Sequence, residues 1–518
     1  MSVKSVKNSK MNEIFSPRAI REAKLDPKIG DNRKVELNEL AKQVAQQFSS
    51  EVMAPGLITG VVRLIEFFTL IAMGMVIYYL YVMPLNPQSG LYLTASVLGS
   101  FICVAAIQAI DGYQTDTYRN YVAQLSKTVT GLGFAMIVLL MLGFFAKMSD
   151  TYSRLWFGTW FVSGTVFFVL FRTALTVYVR RLMNDGRIER RAVIVGGGEP
   201  AAELIRSLEG QYNSDIRVCG IFDDRTDDRS PPVVVGYPKL GTVGELIEFG
   251  RMARVDMLIV TLPLSAENRV LQLLKRLWVL PVDIRLSAHT NKLRFRPRSY
   301  TYEGSVPFLD IFEKPIANWD AVSKRTFDIF FSVLALVMLS PIMLATMIAI
   351  RLESKGPVIF RQKRYGFNNE VIDVLKFRSM FHEMADPDAK SVVTKGDPRV
   401  TRVGRFIRKS SIDELPQLVN VLRGDLSLVG PRPHAVNAHT ANRLWDEVVD
   451  GYFARHKVKP GVTGWAQING WRGEVDDDEK IRERVNCDLY YIENWSLLFD
   501  LHILFITPFK LLNTENAY

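Results

Sequence analysis

Residues 324–351 read KRTFDIFFSVLALVMLSPIMLATMIAIR, an apolar run from Phe327 to Ile350 that is broken at Ser340-Pro341 and flanked by Lys324-Arg325 and Arg351. About 24 apolar residues rising ~1.5 Å each can cross a hydrocarbon core of ~30 Å, so length allows a span. The flanks point elsewhere. Lys355, Arg361, Lys363 and Arg364 follow at once, so cations bracket both ends, and cations gather on the cytoplasmic side of a membrane. A proline inside a helix removes a backbone hydrogen bond and bends the axis, at about 3 kcal/mol or more. A kinked span is the plain alternative for the run alone. The charges favour a helix over 324–352 that dips into one leaflet, turns at Ser340-Pro341 and returns, with the Ser340 hydroxyl serving a carbonyl freed at the bend.

Downstream, Lys376-Phe377-Arg378 sets two cations beside an aromatic, and Arg405, Arg408 and Lys409 lead into SSIDELPQL, residues 410–418. Leu415, Leu418, Val419 and Leu422 fall at helical spacing, and Gly424 is a stop signal. Ser411 and Glu414 have capping-box spacing, but that start places Pro416 where a hydrogen bond is lost. A start at Asp413 puts Pro416 in the first turn, with Asp413 and Glu414 at the positive end of the helix dipole. A plain helix cap is the ordinary role for such a pair. Its cationic surroundings allow a second one. An aspartate of ordinary pKa, ~3.9, is ionised at neutral pH and can attack phosphorus. A glutamate beside it points roughly 100° away and can hold Mg²⁺, while the cations neutralise phosphate oxygens.

Lys324-Arg325 with Asp328, the Ser-Pro break, KFRSM, the run from Asp397 to Arg405, SIDELPQL with Asn420, and GDLSLVGPRP together resemble the bacterial sugar transferases. These are monotopic phosphoglycosyl transferases, which move a sugar 1-phosphate from a nucleotide diphosphate sugar to a polyprenyl phosphate. The resemblance runs from about Ser323 to the C-terminus and implies Asp413 as nucleophile, through an aspartyl intermediate, and Glu414 as the Mg²⁺ ligand. It implies Lys376 and Arg378 on phosphates, Arg408 on the lipid phosphate, Arg432 toward the nucleotide and Asp488 near the site. Lys459–Gly473 resembles a loop that frames the sugar nucleotide, with a structural turn as its ordinary role. Among members, the large glucose-transferring subgroup that begins exopolysaccharide, capsule or O-antigen synthesis is the most similar. UDP-glucose is thus the expected donor, UDP-galactose the next, and undecaprenyl phosphate the acceptor.

The rest of the chain is read outward from there. Residues 1–56 are a polar cytoplasmic tail, and 57–181 hold four apolar segments: Val61–Met83, Leu91–Ile110, Val129–Ala146 and Leu155–Phe171. Lys and Arg placement puts both ends of this four-span bundle in the cytoplasm, within the inner membrane. Arg63 and Glu66 read as interfacial or mutually paired. Residues 182–290 read as a Rossmann-like α/β domain, in which Ala192–Val195 is a buried strand. Gly196, Gly198 and Asp223 form a nucleotide-type turn with an acid after the next strand. Two readings stand equal for this domain: a nucleotide-sensing pocket, or a structural or homodimerising body. Residues 291–322 read as a linker and 323–518 as the α/β catalytic domain, in which Trp495–Leu512 suits an interfacial helix.

The net charge of +10 fits an anionic inner leaflet. Nucleic acid is the competing partner for a basic chain, but no motif for it is present. Cys103, Cys219 and Cys487 show neither metal nor disulfide spacing. A nucleotide-sugar oxidoreductase would need a tyrosine followed four residues later by lysine, which is absent. A non-catalytic scaffold would have no need of the acid and cation constellation.

Overall fold

The computed structural model describes residues 36–48, 55–84, 89–113, 121–148, 151–184, 189–210, 216–225, 230–262, 266–287, 301–303, 306–384, 397–434, 439–440, 443–445, 449, 451–471, 473 and 477–512. Two compact units divide the chain, one spanning residues 51–190 with 215–217, the other the remainder.

After a short helix α1, Glu39–Gln47, the first of these units holds four long apolar helices: α2 (Pro55–Ile77, continued by a π turn at Tyr78–Val82), α3 (Ser89–Ala109), α4 (Tyr121–Phe145) and α5 (Arg154–Asn184). Each contains a stretch long and apolar enough to cross a membrane. Close approach is built from glycine and tryptophan. Trp156 and Trp160 donate their indole N–H to the Gly74 and Leu70 carbonyls at 2.7 and 3.0 Å. A Cβ on Gly99 would lie 2.7 Å from the Trp160 ring. Glu66 is not paired with Arg63. It is fully buried against Arg172 of α5 at 2.6 Å and accepts from the Tyr113 hydroxyl at 2.6 Å, while Arg63 lies over the Tyr113 ring.

The second unit contains an eight-stranded sheet in the order β3-β4-β2-β1-β5-β6-β8-β7. Its members are β1 (Arg190–Val195), β2 (Ile216–Phe222), β3 (Val233–Val234), β4 (Tyr237–Gly241), β5 (Met257–Val260), β6 (Asp283–Ser287), β7 (Thr301–Glu303) and β8 (Val306–Phe312), with helices α6 (Glu199–Glu209), α7 (Val243–Met252) and α8 (Glu267–Leu277) between them. Strands β1, β5 and β6 pair in parallel, and β8 closes antiparallel onto β6. Successive residues Ala192–Val195 and Met257–Val260 are all buried, as strands covered on both faces require.

Two expectations change here. Residues 291–322 are not a plain linker: β7 and β8 extend the sheet, with Val306 and Phe308 fully buried. The N-terminal tail is not polar throughout either. Leu37, Ala41, Ala45 and Phe48 join the core of the sheet domain, and Asn38 caps α1 while donating to the Leu240 carbonyl at 2.6 Å.

Helix α9 runs unbroken from Asn318 to Glu353, through Pro341. Near its start Arg325 donates to the Val421 and Leu422 carbonyls at 2.5 and 2.7 Å. Near its end Ile350 packs with Phe377 and Ile407, and Ile412 and Leu415 lie against that cluster. A straight helix would separate residues 325 and 350 by roughly 38 Å, whereas Leu415 and Val421 are about 10 Å of chain apart, so α9 bends. Pro341 cannot donate to the Val337 carbonyl, and the Ser340 hydroxyl does so instead at 2.8 Å. That is the expected service at the bend.

Two strands form a hairpin after α9, β9 (Ile359–Tyr365) and β10 (Val371–Phe377). Helices α10 (Arg402–Lys409) and α11 (Gln417–Arg423) follow, then β11 (Ser427–Val429) paired in parallel with β12 (Gly461–Thr463). Helices α12 (Asp478–Glu493) and α13 (Leu497–Leu512) complete the unit. The loop at residues 459–464 meets residues 430–431 backbone to backbone. Gly430 and Gly461 donate to the Thr463 and Pro431 carbonyls, both at 2.9 Å, and a Cβ on Gly461 would lie 2.1 Å from the Gly430 nitrogen.

Candidate active site

The acidic pair sits on a tight connection between α10 and α11. Glu353, at the end of α9, accepts from the Arg402 and Val403 amides at 2.7 and 3.0 Å and so caps α10. Ser411 then takes a left-handed φ of 58°, costly for a residue with a Cβ, and reverses the chain. A single 3₁₀ turn, Ile412–Glu414, leads through Pro416 into α11, which ends at Gly424 with φ 96°. The Ser411 side chain makes no cap bond, so the capping box is not formed and Pro416 falls where its missing N–H is harmless.

Hairpin β9–β10 brings the cations. Phe360 lies opposite Lys376 and Arg364 opposite Ile372, and directly opposed residues share a face, so Lys376 and Arg364 face the same side. Lys376 meets Glu414 at 3.0 Å, and Arg432 meets the same carboxylate through both terminal nitrogens, at 2.5 and 3.3 Å. Burial opposes ionisation of Glu414, but Arg432 and Lys376 outweigh it and hold its pKa well below the usual range. Asp413 is 9% exposed. Burial, with Glu414 beside it, pushes its pKa up to about 6, against the pull of Lys376, Arg408 and Arg432. Asp413 is therefore a less acidic carboxylate than its type suggests, yet still ionised at neutral pH.

Lys376, Arg408, Asp413, Glu414 and Arg432 are thus gathered. Arg378 is not. Its guanidinium holds the Ser354 and Lys355 carbonyls at 2.8 and 2.7 Å, locking the chain that leaves α9. Asp488 is buried one step behind the cluster, paired at 2.6 Å with one terminal nitrogen of Arg455 that also donates to the Arg432 carbonyl at 2.7 Å, while the other terminal nitrogen meets His434. Arg364 joins the cluster unannounced. Burial and the neighbouring Arg432 bring its pKa down to about 10, while Glu414 and Asp413 pull it up. Its alternation with Lys376 across the hairpin was the signal that could have found it. Asn420 joins α11 to β10, accepting from the Leu375 amide at 2.9 Å and donating to the Asp373 carbonyl at 2.8 Å.

Lys324, Arg325 and Asp328 anchor the first arm of α9. The Lys324 ammonium lies 2.7 Å from Asp500 of α13, 3.1 Å from Asp328 and 3.1 Å from the Val429 carbonyl. Asp328 also accepts from the Leu428 amide at 3.2 Å, and Asp500 from the Tyr491 hydroxyl at 2.7 Å. Asp500 is fully buried there, not displayed on an interfacial face.

In the sheet domain, Gly196 and Gly198 take φ of 103° and 83°, as the expected turn demands. Asp223, however, accepts from the Gly197 amide at 2.7 Å and binds Arg225 at 2.7 Å. Burial opposes its ionisation, but these bonds bring its pKa down to about 2. The Gly197 amide is thus taken by an ionised carboxylate of the same domain.

A profile of the bacterial sugar transferases matches residues 319–514, and a profile described as a CoA-binding domain matches 108–288. An undecaprenyl-phosphate glucose phosphotransferase of Komagataeibacter xylinus is 40% identical over 64% of this chain and 61% of its own length. A UDP-glucose:undecaprenyl-phosphate glucose-1-phosphate transferase of Escherichia coli is 34% identical over 83% of this chain and 92% of that protein. One of the same name from Xanthomonas campestris is 32% identical over 88% and 94%. With relatives matched across nearly their whole length, the chain belongs to the bacterial sugar transferase family of enzymes.

Proposed function

We propose that this transferase moves glucose 1-phosphate from UDP-glucose to undecaprenyl phosphate and releases UMP, opening the synthesis of a surface polysaccharide. The observation that carries the reading is one ionisable carboxylate, Asp413, beside a carboxylate already gripped by Lys376 and Arg432. The names of the full-length relatives supply the substrates.

In the first step a carboxylate oxygen of Asp413 attacks the phosphorus that carries the sugar. The bond from that phosphorus to the bridging oxygen breaks, and UMP departs with the electron pair. In the second, an oxygen of the lipid phosphate attacks the same phosphorus and Asp413 leaves as carboxylate. Lys376 and Arg432 can turn from Glu414 to the diphosphate oxygens, with the Arg364 charge, held by Gln362 and the Pro433 carbonyl, close by, and Arg408 steers the lipid phosphate.

Mg²⁺ fits this site only together with substrate. Among the described residues no group of three His, Cys, Asp or Glu side chains could hold a metal, and Mg²⁺ is commonly held by one or two carboxylates plus substrate phosphates. Glu414 would hold it, and the ion would neutralise charge on the leaving phosphate.

The bend in α9 supports a re-entrant geometry. Only 11% of its apolar window is buried within the protein, against 28–33% for the other four candidate spans. Its arms therefore meet lipid, while both ends bind the same cytoplasmic site. With four complete spans upstream, that site faces the nucleotide-sugar pool of the cytoplasm.

Purified protein with radiolabelled UDP-glucose and undecaprenyl phosphate should give a labelled lipid and UMP, and Asp413→Asn should abolish both. Turnover by the Asp413→Asn variant at more than a few per cent of native would contradict the covalent step. A panel of UDP-sugars in the same assay identifies the donor.

A further inference from the structure

Trp278 stands at the end of α8, in the sheet domain, but its side chain belongs to the core of the catalytic domain. Its neighbours Leu277 and Leu280 pack into the sheet core, whereas Trp278, 5% exposed, packs with the cluster of Leu418, Val421 and Tyr452. The ring rests on Gly451, where a Cβ would lie 2.2 Å from it and where φ is 75°. Both facts demand glycine there. Lys457 caps the contact from the other side, its ammonium 5.3 Å from the Trp278 ring centroid and 5.2 Å from that of Phe312 in β8.

Gly451 and Lys457 bracket the turn Tyr452–Lys457, which carries Arg455. Arg455 in turn holds the Arg432 carbonyl and Asp488. A second grip falls on the site hairpin. Asn368, in the β9–β10 connection with φ 51°, donates to the Gly250 carbonyl of α7 at 3.3 Å, and Arg251 lies over the Phe453 ring at 5.6 Å. His456 meets Asn369 of the same connection. The sheet domain therefore holds the two segments that deliver Arg432 and Lys376 to Glu414.

We propose that Trp278 is a positioning residue for sugar-phosphate transfer. Through it the sheet domain serves as a brace that fixes Arg432 and Lys376 for the donor diphosphate. It acts through other residues and touches no substrate. This also gives the sheet domain a role that needs no ligand in its glycine turn. The inference rests on the transferase reading above. Displacing a phosphate-binding group by about 1 Å can cost up to a hundredfold in rate, so a packing contact remote from the chemistry has room to matter.

The test uses the full-length protein in nanodiscs and measures UMP release against UDP-glucose concentration and pH. Native turnover establishes the transferase reading independently, and its absence would sink that reading and this one with it, whereas the variants bear on this one alone. Trp278→Ala should lower kcat/KM about tenfold or more and move the acid limb upward, as Arg432 ceases to hold the pair in its ionised form. Trp278→Phe, which keeps a ring on Gly451, should restore most of both. Asn368→Gly, which keeps the left-handed turn and removes only the bond to Gly250, should lower kcat/KM a few-fold without changing the thermal midpoint. A folded Trp278→Ala protein with native kcat/KM and pH profile would overturn the proposal. If that variant fails to fold, native behaviour of Asn368→Gly together with Arg251→Gln overturns it.

Discussion

At the scale of single residues, the contrast between Asp413 and Glu414 decides the chemistry. Both are buried, but only Glu414 has cations in direct contact, so burial wins at Asp413 and ion pairing wins at Glu414. The consequence is a pH dependence. Protonated Asp413 has no free electron pair of carboxylate basicity, so kcat/KM for UMP release should rise with pH through about 6 and then level. A steady-state series across that range checks it, and an acid limb centred near an ordinary aspartate value would show that burial does not raise the pKa of Asp413 in the free enzyme. The acidic pair, its proline and the terminal glycine were legible in the sequence because helix-start chemistry is local. The partners of Glu414 were less so. Lys376 and Arg432 stood in recognisable motifs, but Arg364, a neighbour of the pair rather than a direct partner, lies in the stretch Arg361-Gln362-Lys363-Arg364 with two other cations, and only strand register singles it out. Arg378 misled for the opposite reason. Its motif neighbour Lys376 faces the carboxylates, but the strand ends at Phe377 and Arg378 turns to the carbonyls that follow α9.

At the scale of elements, α9 is the informative case. Its composition suits a simple span, and charge at both ends together with Ser340-Pro341 argues for a return. The bond from Ser340 to Val337 shows why a proline is tolerable there: the carbonyl it orphans has a donor one residue away. Pro341→Ala should restore the missing N–H and let the helix straighten, pulling Ile350 from Ile407 or Arg325 from Val421. The expected result is a loss of UMP release of at least tenfold. In addition, a cysteine placed at Lys355, with Cys103, Cys219 and Cys487 replaced, should react with an impermeant reagent only from the cytoplasmic side in the parent protein. Periplasmic reaction there would rule out the re-entrant geometry. Strands β7 and β8 escape a sequence reading because they sit in a stretch of mixed aromatic and basic composition. The pairing of β8 with β6, with β7 added beyond it, leaves only the short alternation Val306, Phe308 as a local trace.

At the scale of the whole molecule, membrane embedding and catalysis rest on buried charge whose pairing sequence proximity does not give. Arg63 is the nearest cation to Glu66 on the same helix and the natural guess for its partner, yet Arg172 on another helix of the bundle takes that place. Removing one member of a buried pair leaves the other uncompensated, at about 3–5 kcal/mol. Glu66→Ala should therefore lower the thermal stability of the four-helix unit markedly, whereas Glu66→Ala with Arg172→Leu should recover much of it. Equal stability of the single variant and the parent, measured by thermal unfolding in detergent, would show that Arg172 finds another counter-charge.

The ammonium of Lys324 carries a consequence for biogenesis. Lys324 leaves the ribosome with the first arm of α9, well before Asp500, which belongs to α13. Until that helix arrives, one of the two carboxylates that neutralise Lys324 is missing, so the catalytic half cannot settle as it emerges and must wait for α13. A nascent chain arrested before Trp495 would hold the first arm of α9 loosely, and emergence of α13 would be the event that seats it.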